Sequence, residues 1–262
     1  MKQAPALFVS HGAPTFALDP GSLGPKLSQL GEQWLGLEAI AVVSAHWQTA
    51  RVEVMRTATP ETLHDFGGFP QALYRLNYPA AGAPALAYET VAILKAYGID
   101  AGLDDKRGLD HGAWVPLLHL IPGAQVPVFQ VSLPFAFNAQ KAFELGRALR
   151  ALRQRGVLVM GSGSLTHNLA EIGQVDPSRS QYAVEFTSWI RAHIQTRDID
   201  ALLDYRRRAP HAQRAHPTEE HFLPLLVAVG ASEDADAVTV IDGGMTYGVL
   251  SMESYAFASA GH

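Results

Sequence analysis

The sequence predicts an α/β fold, a single domain with a mostly parallel central sheet and helices on both faces. Three observations point there. Short apolar runs rich in Val, Ile and Phe recur along the chain, bounded by Gly or Pro, as strands buried on both faces require. Segments with helical spacing of apolar residues fall between them, and strands alternating with helices favour a parallel sheet. The chain has 262 residues, of which 48 % are hydrophobic and 17 % charged. That is enough apolar material for a sizeable core and too little charge for a disordered chain.

Taken in order, buried strands are expected at Ala6 to Ser10, Ala39 to Ala45, Val126 to Leu133, Val157 to Gly161 and Ala237 to Ile241. Val52 to Arg56 and Leu250 to Tyr255 alternate more and read as edge strands. A helix is expected over Pro84 to Tyr97, with Leu86, Val91, Ile93 and Leu94 on its apolar side and Gly98 after it. A second runs from Ala139 to Arg155, carrying Phe143, Leu145, Leu149 and Leu152. Basic residues in its last turns and Gly156 beyond them make a helix stop. Tyr182 to Ile194 and Glu219 to Val229 are two more. Gly21 to Gly36 and Asp176 to Ser180 read as loops, and neither divides two cores. Residues 1–262 are therefore expected to form one domain.

Charge and cysteine content narrow the function. Lys and Arg number 20 against 25 Asp and Glu, a formal net charge of −5. A basic nucleic-acid footprint or membrane-surface patch is not expected from that balance. Arg206, Arg207 and Arg208 form the only basic run, which reads as a solvated face. There is no cysteine, so disulfides, thiolate metal ligands and a cysteine nucleophile are excluded together. No apolar run approaches the roughly 18 residues of a membrane span, and a cytoplasmic protein is expected. Gly161-Ser162-Gly163-Ser164 lacks the lysine of a phosphate loop and the context of a nucleophile elbow.

Eleven histidines stand out in a chain with so little charge. His11 and His46 follow strand-like runs directly, and His167 follows another after a short Gly/Ser loop. His111 sits in Asp110-His111-Gly112-Ala113-Trp114, a turn that opens a helix. Ligands of open α/β sheets bind beyond the carboxyl ends of the strands, so these imidazoles are expected to converge. With Thr218 as N-cap, His221 would be the third helical residue, and the helix dipole would keep it neutral, as a metal ligand must be. Singly, each histidine reads as well as a turn or core residue. His64 fits a surface-loop turn, His119 a helix position with a satisfied ring, and His193, His211, His216 and His262 the surface or loops.

The motifs that carry these residues resemble one family. They are S-H-G-A-P at 10–14, V-V-S-A-H-W at 42–47, H-D-F-G-G-F-P-Q-A-L-Y at 64–74 and D-H-G-A-W at 110–114. G-S-G-S-L-T-H-N-L at 161–169, P-T-E-E-H-F-L-P-L-L at 217–226 and G-x-L-S-M at 248–252 follow. Nearly end to end, the chain is similar to the DODA-type extradiol dioxygenases of the class III, LigB-like superfamily, whose bacterial members are described as 4,5-DOPA dioxygenases. The resemblance implies a mononuclear non-haem Fe(II) held by His11, His46 and His221. It makes His167 an acid/base residue, able to approach as a fourth ligand when Zn occupies the site. It puts His111 close to substrate and O2, and His64 in a loop that walls the pocket. Glu220, about 100° around a helix from His221, is not expected to share its aim.

Such a set suits ring opening. Three neutral imidazoles leave a divalent ion its full charge, which favours a catecholate chelate. A facial set with open positions is the arrangement of non-haem Fe(II) oxygenases, whereas Zn has no redox chemistry. His167 is expected to accept a catechol proton and later protonate the peroxo or leaving oxygen, and His111 to hydrogen-bond an oxygen-derived anion. Trp47, Phe66, Phe69 and Trp114 are candidate ring-walling residues, with ordinary core packing the other reading. A carboxylate on the substrate would want a cation, for which Arg51, Arg75 and Arg107 are candidates. A Zn hydrolase on the same site and a non-enzymatic metal-binding module remain the alternatives.

Overall fold

The structure, a computed structural model, describes residues 3–34, 36–173 and 177–259, the side chains of 177–179 apart. The chain forms strands β1 (Ala6–Ser10), β2 (Ala39–Ser44), β3 (Gln48–Thr49), β4 (Val52–Met55), β5 (Ala101–Asp104) and β6 (Val128–Gln130). There follow β7 (Leu133–Pro134), β8 (Val157–Gly163), β9 (Ala237–Ile241), β10 (Met245–Thr246), β11 (Leu250–Ser251) and β12 (Ser254–Ala258). The helices are α1 (Leu23–Gln33), α2 (Pro84–Ala96), α3 (His111–Leu120), α4 (Ala139–Arg153) and α5 (Pro177–Gln195). After them come α6 (Ile199–Leu203), α7 (Tyr205–Arg208), α8 (Ala212–Ala215) and α9 (Leu223–Ala231).

A six-stranded sheet of order β6-β2-β8-β1-β12-β9 forms the centre. The β6–β2, β2–β8 and β8–β1 pairs are parallel, and β1–β12 and β12–β9 are antiparallel. The sheet is thus mixed and mostly parallel, as expected. Every residue of β1, β2 and β8 is buried, which explains their unbroken apolar runs. Alternation along β8 shows what covers each face. A Cβ on Gly161 or Gly163 would stand 2.0 Å from the Pro224 carbonyl oxygen or 2.2 Å from that of His221, so α9 and the turn before it press on one face. Ser162, between them, points the other way and donates to the Gly112 carbonyl in α3. Helix α4 packs on α9, and α1 on α3.

Several expectations change. Ala237 to Ile241 is an edge strand whose residues alternate in exposure, since among the described residues no strand pairs with the outer side of β9. The stretch from Leu250 holds β11 and the interior strand β12, buried between β1 and β9. The run from Val126 breaks into β6 and β7, because the chain leaves β2 after Val131 and turns to pair with β3. Val52 to Arg56 supplies β4, which pairs with β5 in a separate two-stranded sheet. Gly21 to Gly36 contains α1, held by Leu23 and Leu27, both buried, with Leu30 packed on the same core. Helix α5 begins at Pro177, ahead of Tyr182, while Asp176 lies outside the described residues.

Candidate metal centre and active site

The carboxyl ends of β1, β2 and β8 open toward one crevice, where three histidines meet. His11 continues β1, its backbone N–H donating to the Gly163 carbonyl at 2.9 Å. His46 lies two residues beyond β2, where Ser44 Oγ accepts its N–H at 3.2 Å and donates to Asp110 Oδ1 at 2.7 Å. His221 sits in the turn before α9, its carbonyl accepting the Ser164 N–H at 2.9 Å. The expected helix start at Glu219 is corrected here. Pro224, which has no N–H to give, stands in the first turn of a helix that begins at Leu223. The Thr218 hydroxyl donates to Glu220 at 3.0 Å instead of capping.

The three imidazoles meet at their Nε2 atoms. His46 Nε2 is 3.0 Å from His11 Nε2 and 3.3 Å from His221 Nε2. The far nitrogens explain why these atoms face one another. Ser162 spends its hydroxyl proton on the Gly112 carbonyl, so it accepts from His11 Nδ1–H at 2.9 Å. Glu220 Oε1, an acceptor only, takes His221 Nδ1–H at 2.9 Å. Both rings therefore turn a bare lone pair toward His46, an arrangement a cation satisfies. Two nitrogens each about 2.0–2.1 Å from one ion, and 90 to 110° apart, stand roughly 2.9–3.4 Å from each other. The observed spacings fit that range, so this donor set suits a divalent metal. Electrostatics agree. Burial, then the neighbouring histidines, pushes His11 and His221 well below the usual imidazole range. Burial and His111 bring His46 down to about 4, against the pull of Asp110 and Asp65. All three stay neutral at pH 7, as ligands must.

Beneath His46 lies a buried network that sequence reasoning missed. Asp110 caps α3 through Ala113 N–H and accepts from Arg107 at 2.7 Å and Gln130 at 2.8 Å. Arg107 also donates to the His46 carbonyl at 3.3 Å and lies over the Trp47 ring. A sequence cue was present for Asp110, an N-cap residue three places before Ala113.

His111 opens α3 with its ring 3.9 Å from that of His46, centroid to centroid. Asp65 Oδ1 accepts both its backbone N–H at 2.9 Å and its Nδ1–H at 3.0 Å. Burial opposes the charge on Asp65, but the bonds to His111 outweigh it and hold the carboxyl down at about 2. The His167 ring is stacked on that of His221. Burial lowers His167 to about 4, with Glu220 pulling the other way and His111 adding to the fall. His167 N–H donates to the Ala215 carbonyl at 2.7 Å. His216, expected at the surface, is fully buried and bonds through Nε2 to the Leu165 carbonyl at 2.9 Å, two residues before His167. His119 bonds to the Phe16 carbonyl within α3, a satisfied helix histidine as expected. His193 lies within α5, in the helix expected over Tyr182 to Ile194, with its side chain 22 % exposed. His211 is exposed, and His262 lies outside the described residues.

Two other groups come close enough to hold an ion, His46 with Asp65 and His111, and His167 with Glu220 and His221. In each, the carboxylate is already taken by a histidine Nδ1–H.

A cavity of about 310 Å³ opens beside the triad, lined by His46, His111, His167, His221, Phe66 and Phe69, with Leu169 and Ile172 toward solvent. Phe66 and Phe69 thus face it. Trp47, Trp114 and His64 are not among its lining residues. Trp114 is buried, donating to the Leu63 carbonyl at 2.9 Å, and with His64 packs around Phe66 from behind. None of the three arginines lines it either. Arg51 pairs with Glu53 and Asp100, Arg107 is engaged under His46, and Arg75 is exposed.

A mixed α/β sheet with neutral histidines gathered at its strand ends, where an ion could be held beside a cavity of ring size, has the build of a metal-using enzyme for small molecules. The comparisons carry this further. The family described as the catalytic LigB subunit of aromatic ring-opening dioxygenase matches residues 7–258, and the chain belongs to it. It is 36 % identical over 256 residues to a protein of Beta vulgaris named 4,5-DOPA dioxygenase extradiol, covering 96 % of each chain. A protein of Escherichia coli K12 with the same name is 38 % identical over 255 residues, covering 95 % of this chain and 93 % of that one. The crystal structure of an uncharacterized Escherichia coli K12 protein superposes with a TM-score of 0.80 at 31 % identity, covering 97 % of this chain and 99 % of that one. These findings bear out the resemblance and the expected enzyme class. They lend no support to a hydrolase or a non-enzymatic module. Among the described residues no helix is long and apolar enough to cross a membrane.

Proposed function

We propose that this protein, one catalytic domain over residues 1–262, opens a DOPA-like catechol with O2 beside its two hydroxyls. We place it in the cytoplasm, with Fe(II) held by His11, His46 and His221. The reading rests on the convergence of three Nε2 atoms, two of them stripped of protons by Ser162 and Glu220. Fe(II) bound there would gather both catechol oxygens and O2 and pass electrons between them, which Zn in the same ligands could not do.

The chain's own groups supply the rest. His167, neutral at pH 7, accepts a proton from a catechol hydroxyl and later returns it to an oxygen of the ring-opened product. Phe66 and Phe69 hold the ring by its faces and edges. With Leu169 and Ile172 they keep water from the opening ring. The substrate class is supported by the name that the Beta vulgaris and Escherichia coli relatives share.

Metal-free protein reconstituted anaerobically with Fe(II), given a catechol panel and then air, decides the matter. One O2 consumed per catechol, with a coloured semialdehyde formed, is the expected result. Turnover without O2, or no uptake with any catechol, would overturn it.

A further inference from the structure

A carboxylate ties the cavity wall to the first turn of α3. Asp65 reaches from the loop that carries Phe66 and Phe69, and its Oδ1 accepts two hydrogen bonds from His111, one from the backbone and one from the ring. Its side chain is 26 % exposed, that of His111 8 %. The ring also packs against those of His46 at 3.9 Å and Phe66 at 5.6 Å, centroid to centroid, but its one hydrogen bond among the described residues goes to Asp65. Trp114 Nε1–H fixes the Leu63 end of the loop, and Leu63 N–H bonds to the Leu109 carbonyl at 2.8 Å, but neither touches the imidazole.

We propose that Asp65 is the positioning residue of His111. It fixes the ring with the proton on Nδ1, so that Nε2 meets the substrate as a hydrogen-bond acceptor. An ionised carboxylate accepts only, so the shared proton belongs to Nδ1, and a neutral imidazole then presents a lone pair at Nε2. His111 lines the cavity, and its free nitrogen there accepts from a catechol hydroxyl. This reverses the sense expected from the sequence, in which His111 donates to an oxygen-derived anion. Because Oδ1 also binds the backbone N–H of His111, the carboxylate fixes the first turn of α3 as well as the ring. The loop bearing Phe66 and Phe69 thus keeps register with His111, and one side chain aligns the aromatic wall with the hydrogen-bonding nitrogen.

The role in turnover rests on the ring-opening reading, while the tautomer does not. Metal-free protein labelled with ¹⁵N-histidine tests the tautomer directly, the His111 signals being assigned by their loss in His111→Gln. The wild type is expected to show a protonated Nδ1 and an unprotonated Nε2, and Asp65→Asn a mixture or the reverse. In the Fe(II)-loaded enzyme, Asp65→Asn is expected to lower kcat about 10–100-fold, the usual effect of a partner that orients a metal-site residue. KM should change little, with iron content and Tm close to wild type. Asp65→Glu, which keeps the charge, should recover part of kcat. A merely structural role would move Tm and KM together and leave the tautomer alone. Should Asp65→Asn fold poorly, the wild-type spectrum and Asp65→Glu decide instead. An Nε2–H tautomer in the wild type, or wild-type kcat in Asp65→Asn, overturns the proposal. An absence of O2 uptake by the wild type would instead sink the ring-opening reading and leave the spectral test standing.

Discussion

The rings of His167 and His221 lie 3.5 Å apart, centroid to centroid, and within 9° of parallel. One belongs to the triad and the other does not, yet they share a face. Stacking sets the His167 ring face to face with that of His221, and His167 groups with Glu220 and His221 rather than with His11 and His46. The proposed acid–base role for His167 needs it to serve the substrate without completing the donor set.

Replacing His167 by Ala should accordingly leave metal content unchanged and cost turnover by roughly two to four orders of magnitude, the usual share of acid–base catalysis. Metal analysis beside single-turnover O2 uptake separates the two effects. A variant that lost its iron along with its rate would make His167 a ligand.

Ser162→Ala removes the acceptor of His11 Nδ1–H and lets that ring put its proton on Nε2. Metal affinity should fall about 10–100-fold, and the Gly112 carbonyl, left without its donor, should add about 1–3 kcal/mol of instability. Chelator competition and urea unfolding measure the two. His46→Ala, by contrast, should abolish iron binding outright.

Stability of the metal-free protein should fall with acid. Burial holds His216 at about 3 and His46 and His167 at about 4, whereas each takes up a proton near pH 6.5 once unfolded. Between those values the unfolded chain binds more protons, so stability is full above about pH 6.5 and drains away as pH falls toward 4. Each group contributes at most about 1.4 kcal/mol per pH unit within its window. Urea midpoints from pH 7.5 to 4.5 should trace the slope, and His216→Phe should flatten it. An unchanged midpoint across that range would contradict the burial of these rings.

Gly161→Ala should be costly. The new methyl would meet the Pro224 carbonyl at 2.0 Å, forcing α9 off the sheet and taking His221 with it. A loss of about 1–3 kcal/mol, typical of overpacking, should come with weakened metal binding. A distant buried substitution of equal cost should leave metal affinity alone, so thermal melts paired with metal titrations isolate the effect.

Much of this arrangement was readable along the chain. Strands buried on both faces write themselves as continuous Val, Ile and Ala runs, and a histidine directly after such a run has few places to go. The rest depends on register. Ser162 looked like a failed nucleophile, because its value lies in standing opposite His11, 151 positions away, and only the β1–β8 pairing brings them together. Glu220 was expected to point away from the ion, and its use is on the far nitrogen of its neighbour. Asp65 sat inside a motif already noticed, but nothing local says that α3 begins beside it. Helix α1 was hidden by its glycines and Pro25, since Leu23, Leu27 and Leu30 keep the right spacing. Trp47 and Trp114 show the converse. Aromatic residues next to site histidines are as easily claimed by the core.

The proposed ligand histidines come from positions 11, 46 and 221, so an ion among them would tie the first strands to a segment near the other end of the chain. Such a clasp acts as a reversible cross-link over most of the polypeptide. Folding and loading then become one equilibrium, in which each tenfold rise in free metal above Kd adds about 1.4 kcal/mol to the native state. A cell short of the metal would hold not merely an idle enzyme but a softer one, exposed sooner to proteolysis.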